Sequence, residues 1–83
     1  MQILYFSKVR EAIGKSEETL SPPADVNTVD KLLNWLSEKD EGYKHAFQNR
    51  DSLRAAINQN FSQLDQAITN DDEVAIFPPV TGG

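Results

Sequence analysis

Apolar residues in this chain recur at two spacings, one suited to strands and one to helices. Ile3-Leu4-Tyr5-Phe6 is a short apolar run, rich in aromatic and β-branched residues, and predicts a strand. Alternation puts Ile3 and Tyr5 on one face and Leu4 and Phe6 on the other. Both faces are then apolar, and something must cover the second. Val9, Ala12 and Ile13 follow at helical spacing and stop at Gly14, which predicts a single helical turn closed by a glycine C-cap. Glu17-Glu18-Thr19-Leu20 reads as a weaker strand, ended by the turn Ser21-Pro22-Pro23.

The clearest helix begins after Thr28, a candidate N-cap, with Asp30 in the first turn, where the positive end of the helix dipole favours a carboxylate. Val29, Leu32, Leu33 and Leu36 make one apolar stripe, so this helix lies on a sheet, with Trp35 at the boundary of the core. Gly42 interrupts, and Tyr43, Ala46 and Phe47 fit either a second short helix or an ordered loop. Leu53-Arg54-Ala55-Ala56-Ile57 is the next strand, turned by Asn58-Gln59-Asn60 into Phe61, since asparagine tolerates left-handed backbone. Asn70-Asp71-Asp72 marks a further turn. Glu73-Val74-Ala75-Ile76-Phe77 then alternates, with Val74 and Ile76 on one face and Ala75 and Phe77 on the other. Two strands, a helix and two more strands describe an α+β roll with one main helix over one sheet face. The domain is expected over 1–77, and 78–83 should form a projecting tail.

Eighty-three residues allow one small domain and one core. The chain has no cysteine, hence no disulfide and no thiolate, which fits a reducing compartment. A net charge of −5 argues against binding the phosphate backbone of a nucleic acid, which draws on clustered Lys and Arg. No apolar run approaches the roughly 18 residues that span a bilayer, and no basic leader precedes Gln2. The expectation is a cytoplasmic protein with neither nucleic acid nor membrane as partner.

Chemistry is scarce along the chain. The sole histidine, His45, lacks the convergent partners that a metal or catalytic site needs, so it is expected on the surface or at a helix end, and no metal is expected. Asp71-Asp72-Glu73 lacks the spacing of a calcium loop and reads as a solvated turn. No phosphate-binding glycine loop, nucleophile elbow or zinc motif is present. What remains is the end Pro78-Pro79-Val80-Thr81-Gly82-Gly83. The prolines lack N–H groups and hold the stretch extended, and two residues without Cβ make a strip of backbone that a narrow channel can admit. A terminal carboxylate, with a pKa of about 3.3–3.7, is ionised and a poor acyl donor. To serve as one it would need activation by an external enzyme spending a nucleotide, and the tail would then be a substrate presented to enzymes. The other reading of the Gly-Gly end is a frayed terminus.

Three stretches, Leu53-Arg54-Ala55-Ala56-Ile57-Asn58-Gln59, Asn70-Asp71-Asp72-Glu73-Val74-Ala75 and Phe77-Pro78-Pro79-Val80-Thr81-Gly82-Gly83, together resemble the MoaD family, the small subunits of molybdopterin synthase. The start, Leu4-Tyr5-Phe6-Ser7-Lys8-Val9-Arg10-Glu11, is also similar to that family's first strand and turn, while 16–51 matches mainly in pattern. The resemblance implies a β-grasp, ubiquitin-like fold with a mixed sheet and an extended C-terminal tail. It also implies a non-catalytic carrier whose Gly83 is adenylated by an ATP-using activating enzyme and converted to a thiocarboxylate with sulfur from a donor protein. The tail, with Gly82, Thr81, Val80, Pro79 and Pro78 providing access, would enter the catalytic large subunit, in a heterotetramer of two small and two large subunits. There the sulfur builds the dithiolene of molybdopterin from cyclic pyranopterin monophosphate. No bound cofactor is implied.

In that family the sheet face beside the tail packs on the large subunit, which makes Phe6, Phe61 and Phe77 candidate anchors; the other reading is that all three are core. Arg10 matches an arginine of the family's N-terminal segment and is a candidate to pair with a partner's carboxylate, or else is a solvated surface arginine. A Gly-Gly terminus is shared with the thiamine-pathway sulfur carrier and with ubiquitin-like modifiers. A thiazole-pathway carrier, a modifier conjugated to lysines and a plain binding module with an inert terminus therefore stand as alternatives.

Overall fold

In the computed structural model, which describes residues 1–79, strand β1 (Gln2–Tyr5) leads into helix α1 (Ser7–Ile13), strand β2 (Glu17–Thr19) and helices α2 (Val29–Ser37) and α3 (Glu41–Phe47). A 3-10 turn at Arg50–Ser52 precedes β3 (Arg54–Ile57), β4 (Asn60–Ser62) and β5 (Glu73–Phe77). The strands form one sheet in the order β2-β1-β5-β3-β4. β1 and β5 run parallel and the other neighbours antiparallel, so the first and last strands lie side by side at its centre. A mixed five-stranded sheet with helices on one side is the β-grasp arrangement.

Register decides which residues face the helices. Ile3 lies opposite Val74, Tyr5 opposite Ile76, and Ala55 opposite Ile76 across the other edge of β5. All of these are buried and share one core with Val9 of α1, with Val29, Leu32, Leu33 and Leu36 of α2, and with Tyr43 and Phe47 of α3. The three helices therefore cover the same sheet face. The α2 stripe is fully buried, and each such side chain contributes about 1.5–3 kcal/mol by leaving water. Thr28 caps α2 as expected, its hydroxyl oxygen accepting from the Lys31 amide at 3.2 Å. Trp35 is half-buried against the core, with the Lys39 ammonium 4.8 Å from its ring centre.

Three features go beyond the sequence expectations. The single turn expected after Phe6 is a seven-residue helix, closed at Gly14, whose φ of 85° is the left-handed C-cap that glycine supplies. The stretch left open between helix and loop is α3, capped by Asp40, whose carboxylate accepts from the amides of Gly42 and Tyr43. Gly42 does not interrupt this helix. A Cβ there would lie 2.6 Å from the carbonyl oxygen of Ala12, so the missing side chain lets α3 approach the end of α1. Finally, one helix does not cover the sheet alone, because α1 and α3 complete the layer over its tail-proximal end.

The hairpin joining β3 to β4 turns on Asn58 and Gln59, both with positive φ, 51° and 71°. Two consecutive left-handed residues are what a two-residue type I′ hairpin turn requires. Asn58 is fixed from both sides: its Nδ2 donates to Asp72 at 2.9 Å, and its Oδ1 accepts from the Glu73 amide at 2.9 Å. The Asp72 carboxylate also accepts from the Thr69 amide, and these bonds, that from Asn58 foremost, hold its pKa below the usual carboxylate range. The acidic turn is thus more than a solvated loop, since it locks the hairpin to the start of β5.

Candidate functional site

Among the described residues no helix covers the sheet's second face, and cross-strand register assigns its residues. Leu4 pairs with Glu17 on one side and Ala75 on the other; Ala75 pairs with Ala56, and Ala56 with Phe61. One row across all five strands therefore reads Glu17, Leu4, Ala75, Ala56, Phe61, apolar except at the β2 edge. The next row toward the C-terminus holds Phe77 beside Arg54. Phe6 continues the extended backbone of β1 at that level, its amide donating to the Ile76 carbonyl at 3.2 Å. The opposite end is polar. There Thr19 donates to Gln2 at 2.7 Å, and Gln2 donates to Glu17 at 3.2 Å.

Small residues at the centre and large ones at the rim make a shallow apolar face weighted toward the tail. Phe61 is 82% exposed, and its ring sits 5.9 Å from that of Phe77, tilted by 60°. Phe6 is 46% exposed, and Phe77 is half-buried. Phe6 and Phe61 therefore do not follow the core reading. Soluble domains seldom leave large aromatic side chains clustered in water, and such patches mark interaction sites. Arg10, on α1, is exposed.

β5 ends at Phe77, and Pro78 and Pro79 follow it without regular secondary structure. They line an open groove of about 950 Å³ between α1 and α3, together with Lys8 and His45. His45 sits exposed in the last turn of α3. The groove contains Ser7, which has a φ of 53°, a left-handed conformation that costs a serine energy. That bend turns the chain sharply from β1 into α1 and leaves Phe6 at the corner. Val80, Thr81, Gly82 and Gly83 lie outside the described residues.

On the covered side, one carboxylate is bonded within the fold. The Glu18 carboxylate accepts from the hydroxyls of Tyr5 at 2.7 Å and Tyr43 at 2.6 Å, and from the Lys15 ammonium at 3.5 Å. Burial alone would raise its pKa, but the bonds from Tyr43 and Tyr5 and the Lys15 charge carry it below the ordinary value. Burial first, and then the Glu18 bond, push both tyrosine hydroxyls up, so they stay neutral donors. This cluster ties β1, β2 and α3 together. Among the described residues, no group of three or more His, Cys, Asp or Glu side chains is arranged to hold a metal ion.

Alternation grouped Leu4 with Phe6 and Ala75 with Phe77, but did not show which of the two faces the helices leave uncovered. Ala56 and Arg54 were missed, because their place beside Ala75 and Phe77 depends on how β3 pairs with β5, and strand pairing leaves no local mark in sequence.

Comparison with known proteins adds a lineage to this geometry. The profile of the ThiS family matches residues 3–83. The molybdopterin synthase sulfur carrier subunit of Escherichia coli K12 is 36% identical over 83 residues, covering all of this chain and 99% of that protein. Among solved structures, SAMP1 from Haloferax volcanii superposes with a TM-score of 0.72 at 27% identity, over all of this chain and 98% of that one. A chain from the protein-protein complex of subunits 1 and 2 of the molybdopterin-converting factor of Helicobacter pylori has a TM-score of 0.63 at 22% identity. It covers 99% of this chain and 96% of its own, a likeness of fold.

Proposed function

The chain belongs to the ThiS family, and from that premise we infer that it is the sulfur carrier subunit of a molybdopterin synthase. The observation that carries this reading is the end-to-end match to the E. coli sulfur carrier subunit. The uncovered face supports it physically: a carrier needs a docking surface continuous with the segment it delivers, and the aromatic end of this face adjoins Pro78 and Pro79.

The chemistry proceeds at Gly83. Its carboxylate attacks the α-phosphorus of ATP on an activating enzyme, pyrophosphate leaves, and an acyl-adenylate forms. Sulfide-level sulfur from a donor protein attacks the carbonyl carbon, AMP leaves, and the product is a thiocarboxylate. The thiocarboxylate sulfur is a stored nucleophile. It bonds to a carbon of cyclic pyranopterin monophosphate, which leaves the carrier joined to that substrate as a thioester. Water then attacks the carbonyl carbon, the carrier's carbon–sulfur bond breaks, the sulfur stays on the substrate, and the Gly83 carboxylate is returned for recycling. A dithiolene holds two sulfurs, so each product consumes two loaded carriers. Catalytic residues belong to the large subunit, which engages the face bearing Phe6, Phe61 and Phe77 with Arg10 at its margin, while Pro78 to Gly82 thread the tail inward.

Incubation with the activating enzyme, ATP and a sulfur donor should raise the intact mass by the difference between sulfur and oxygen, localised to Gly83. A chain lacking Gly83 should keep its circular dichroism and gain no sulfur. An unmodified terminus under conditions that load a known carrier would reject the reading. The likeness to SAMP1, a small archaeal modifier protein, favours a second reading in which the same adenylate passes to target lysines. An immunoblot of the native host separates them: a ladder of covalent adducts supports the modifier, and a single free band the carrier.

A further inference from the structure

We propose that Arg54 is a specificity-determining residue of the docking face and that the large subunit meets it with a carboxylate beside the point where the tail enters. This rests on the reading of that face as the large-subunit surface and adds to it the chemistry of one contact.

Register puts Arg54 directly opposite Phe77, in the last row before the tail. It is exposed, and it lies within the sheet next to the aromatic end of a face whose other central members are Leu4, Ala75, Ala56 and Phe61. Its guanidinium does not float free: Nη1 donates to the carbonyl oxygens of Leu53 at 2.7 Å and Asp51 at 3.1 Å. These bonds hold one edge of the fork against the 3-10 turn and leave Nε and Nη2 without a bonded acceptor among the described residues. Part of the ordering cost of a partner contact is thus met in the free chain.

Charge pairing within the chain points the same way. The sequence has 13 acidic residues against 8 Lys and Arg, yet the ion pairs among the described residues are Lys15–Glu18 and Arg50–Asp30. Asp51, three residues from Arg54, offers its backbone carbonyl and not its carboxylate. An unpaired guanidinium beside an apolar face is stable in water but costly once a partner covers that face, unless the partner supplies an acceptor. The planar fork fits a carboxylate through two parallel bonds, and a charge at the edge of an interface governs which partner is accepted more than total affinity.

Binding of the full chain to its cognate large subunit, measured by calorimetry at low and high NaCl, tests this. Arg54→Leu should bind about tenfold more weakly and Arg54→Glu more weakly still, and both gaps should narrow at high salt as the charges are screened. Phe61→Ala should weaken binding at both salt concentrations. Thermal unfolding of the free variants should match the parent, because Arg54 is exposed. If Arg54→Leu binds within about twofold of the parent while Phe61→Ala is impaired, the Arg54 inference fails and the docking reading stands. If neither substitution weakens binding, the docking reading itself fails and the inference with it.

Discussion

Phe47 and Phe61 are the same side chain on opposite sides of one sheet. Phe47 is 1% exposed and lies within 6.4 Å of both Tyr5 and Tyr43, ring centre to ring centre, under a layer made by three helices. Phe61 is 82% exposed, with Phe77 as its aromatic neighbour. Alternation supplies apolar residues to both faces, but the chain has helices enough for only one. Stability therefore comes from the covered face, and the uncovered one is left for association. Substituting each phenylalanine separates the two contributions. Phe47→Ala should cost about 3–5 kcal/mol, a large share of the roughly 4–12 kcal/mol that a domain of this size holds, and should show as a loss of cooperative urea unfolding. Phe61→Ala should change unfolding by about 1 kcal/mol or less while weakening large-subunit binding. Equal destabilisation by the two substitutions would remove the distinction between the faces.

A smaller effect tests how the covered side is assembled. Because a Cβ at Gly42 would lie 2.6 Å from a backbone oxygen of α1, Gly42→Ala cannot be accommodated by rotating a side chain. The helices must separate, at about 1–3 kcal/mol, the usual cost of overpacking. That is the reverse of the small gain alanine normally gives in a helix. Chemical denaturation reads the sign directly, and a stabilised Gly42→Ala would show that α1 and α3 are not in close contact.

Much of the covered side was legible in the sequence, because its signals are local. The stripe Val29, Leu32, Leu33, Leu36, the Thr28 cap and the Gly14 stop each identify themselves within one or two turns. α3 was harder to read: Tyr43, Ala46 and Phe47 mark fewer than two turns, and Gly42 looks like a breaker until its contact with Ala12 is known. The uncovered face was half legible. Alternation grouped Leu4 with Phe6 and Ala75 with Phe77, but which face stays uncovered, and whether those residues meet Ala56, Phe61 and Arg54, is a matter of register between distant strands. Residues 80–83 of the tail lie outside the described residues, and the tail's role rests on family membership and the chemistry of a terminal glycine.

The cluster at Glu18 supplies the smallest effect and a pH signature confined to the covered side. Glu18 has a folded-state pKa below its ordinary value of 4.5, so its contribution is complete above that pH and is lost as pH falls through the lowered folded value. Tyr5 and Tyr43 have pKa values raised above 10.0, so their contribution is complete below pH 10 and is lost as pH rises toward their folded values. Glu18→Gln should cost about 1 kcal/mol at neutral pH, since a neutral amide accepts more weakly from two hydroxyls than a carboxylate does. In thermal unfolding across pH, the gap between the parent and Glu18→Gln should be flat from about pH 5 to 9 and close toward acid, where the parent carboxylate is protonated. The alkaline loss should persist in the variant, because burial is the leading cause of both tyrosine shifts. A gap that stays constant into acid would mean that the Glu18 charge does not stabilise the fold. Large-subunit binding should be unaffected at neutral pH, because Tyr5 and Tyr43 lie in the core under the helices, on the side away from Phe61.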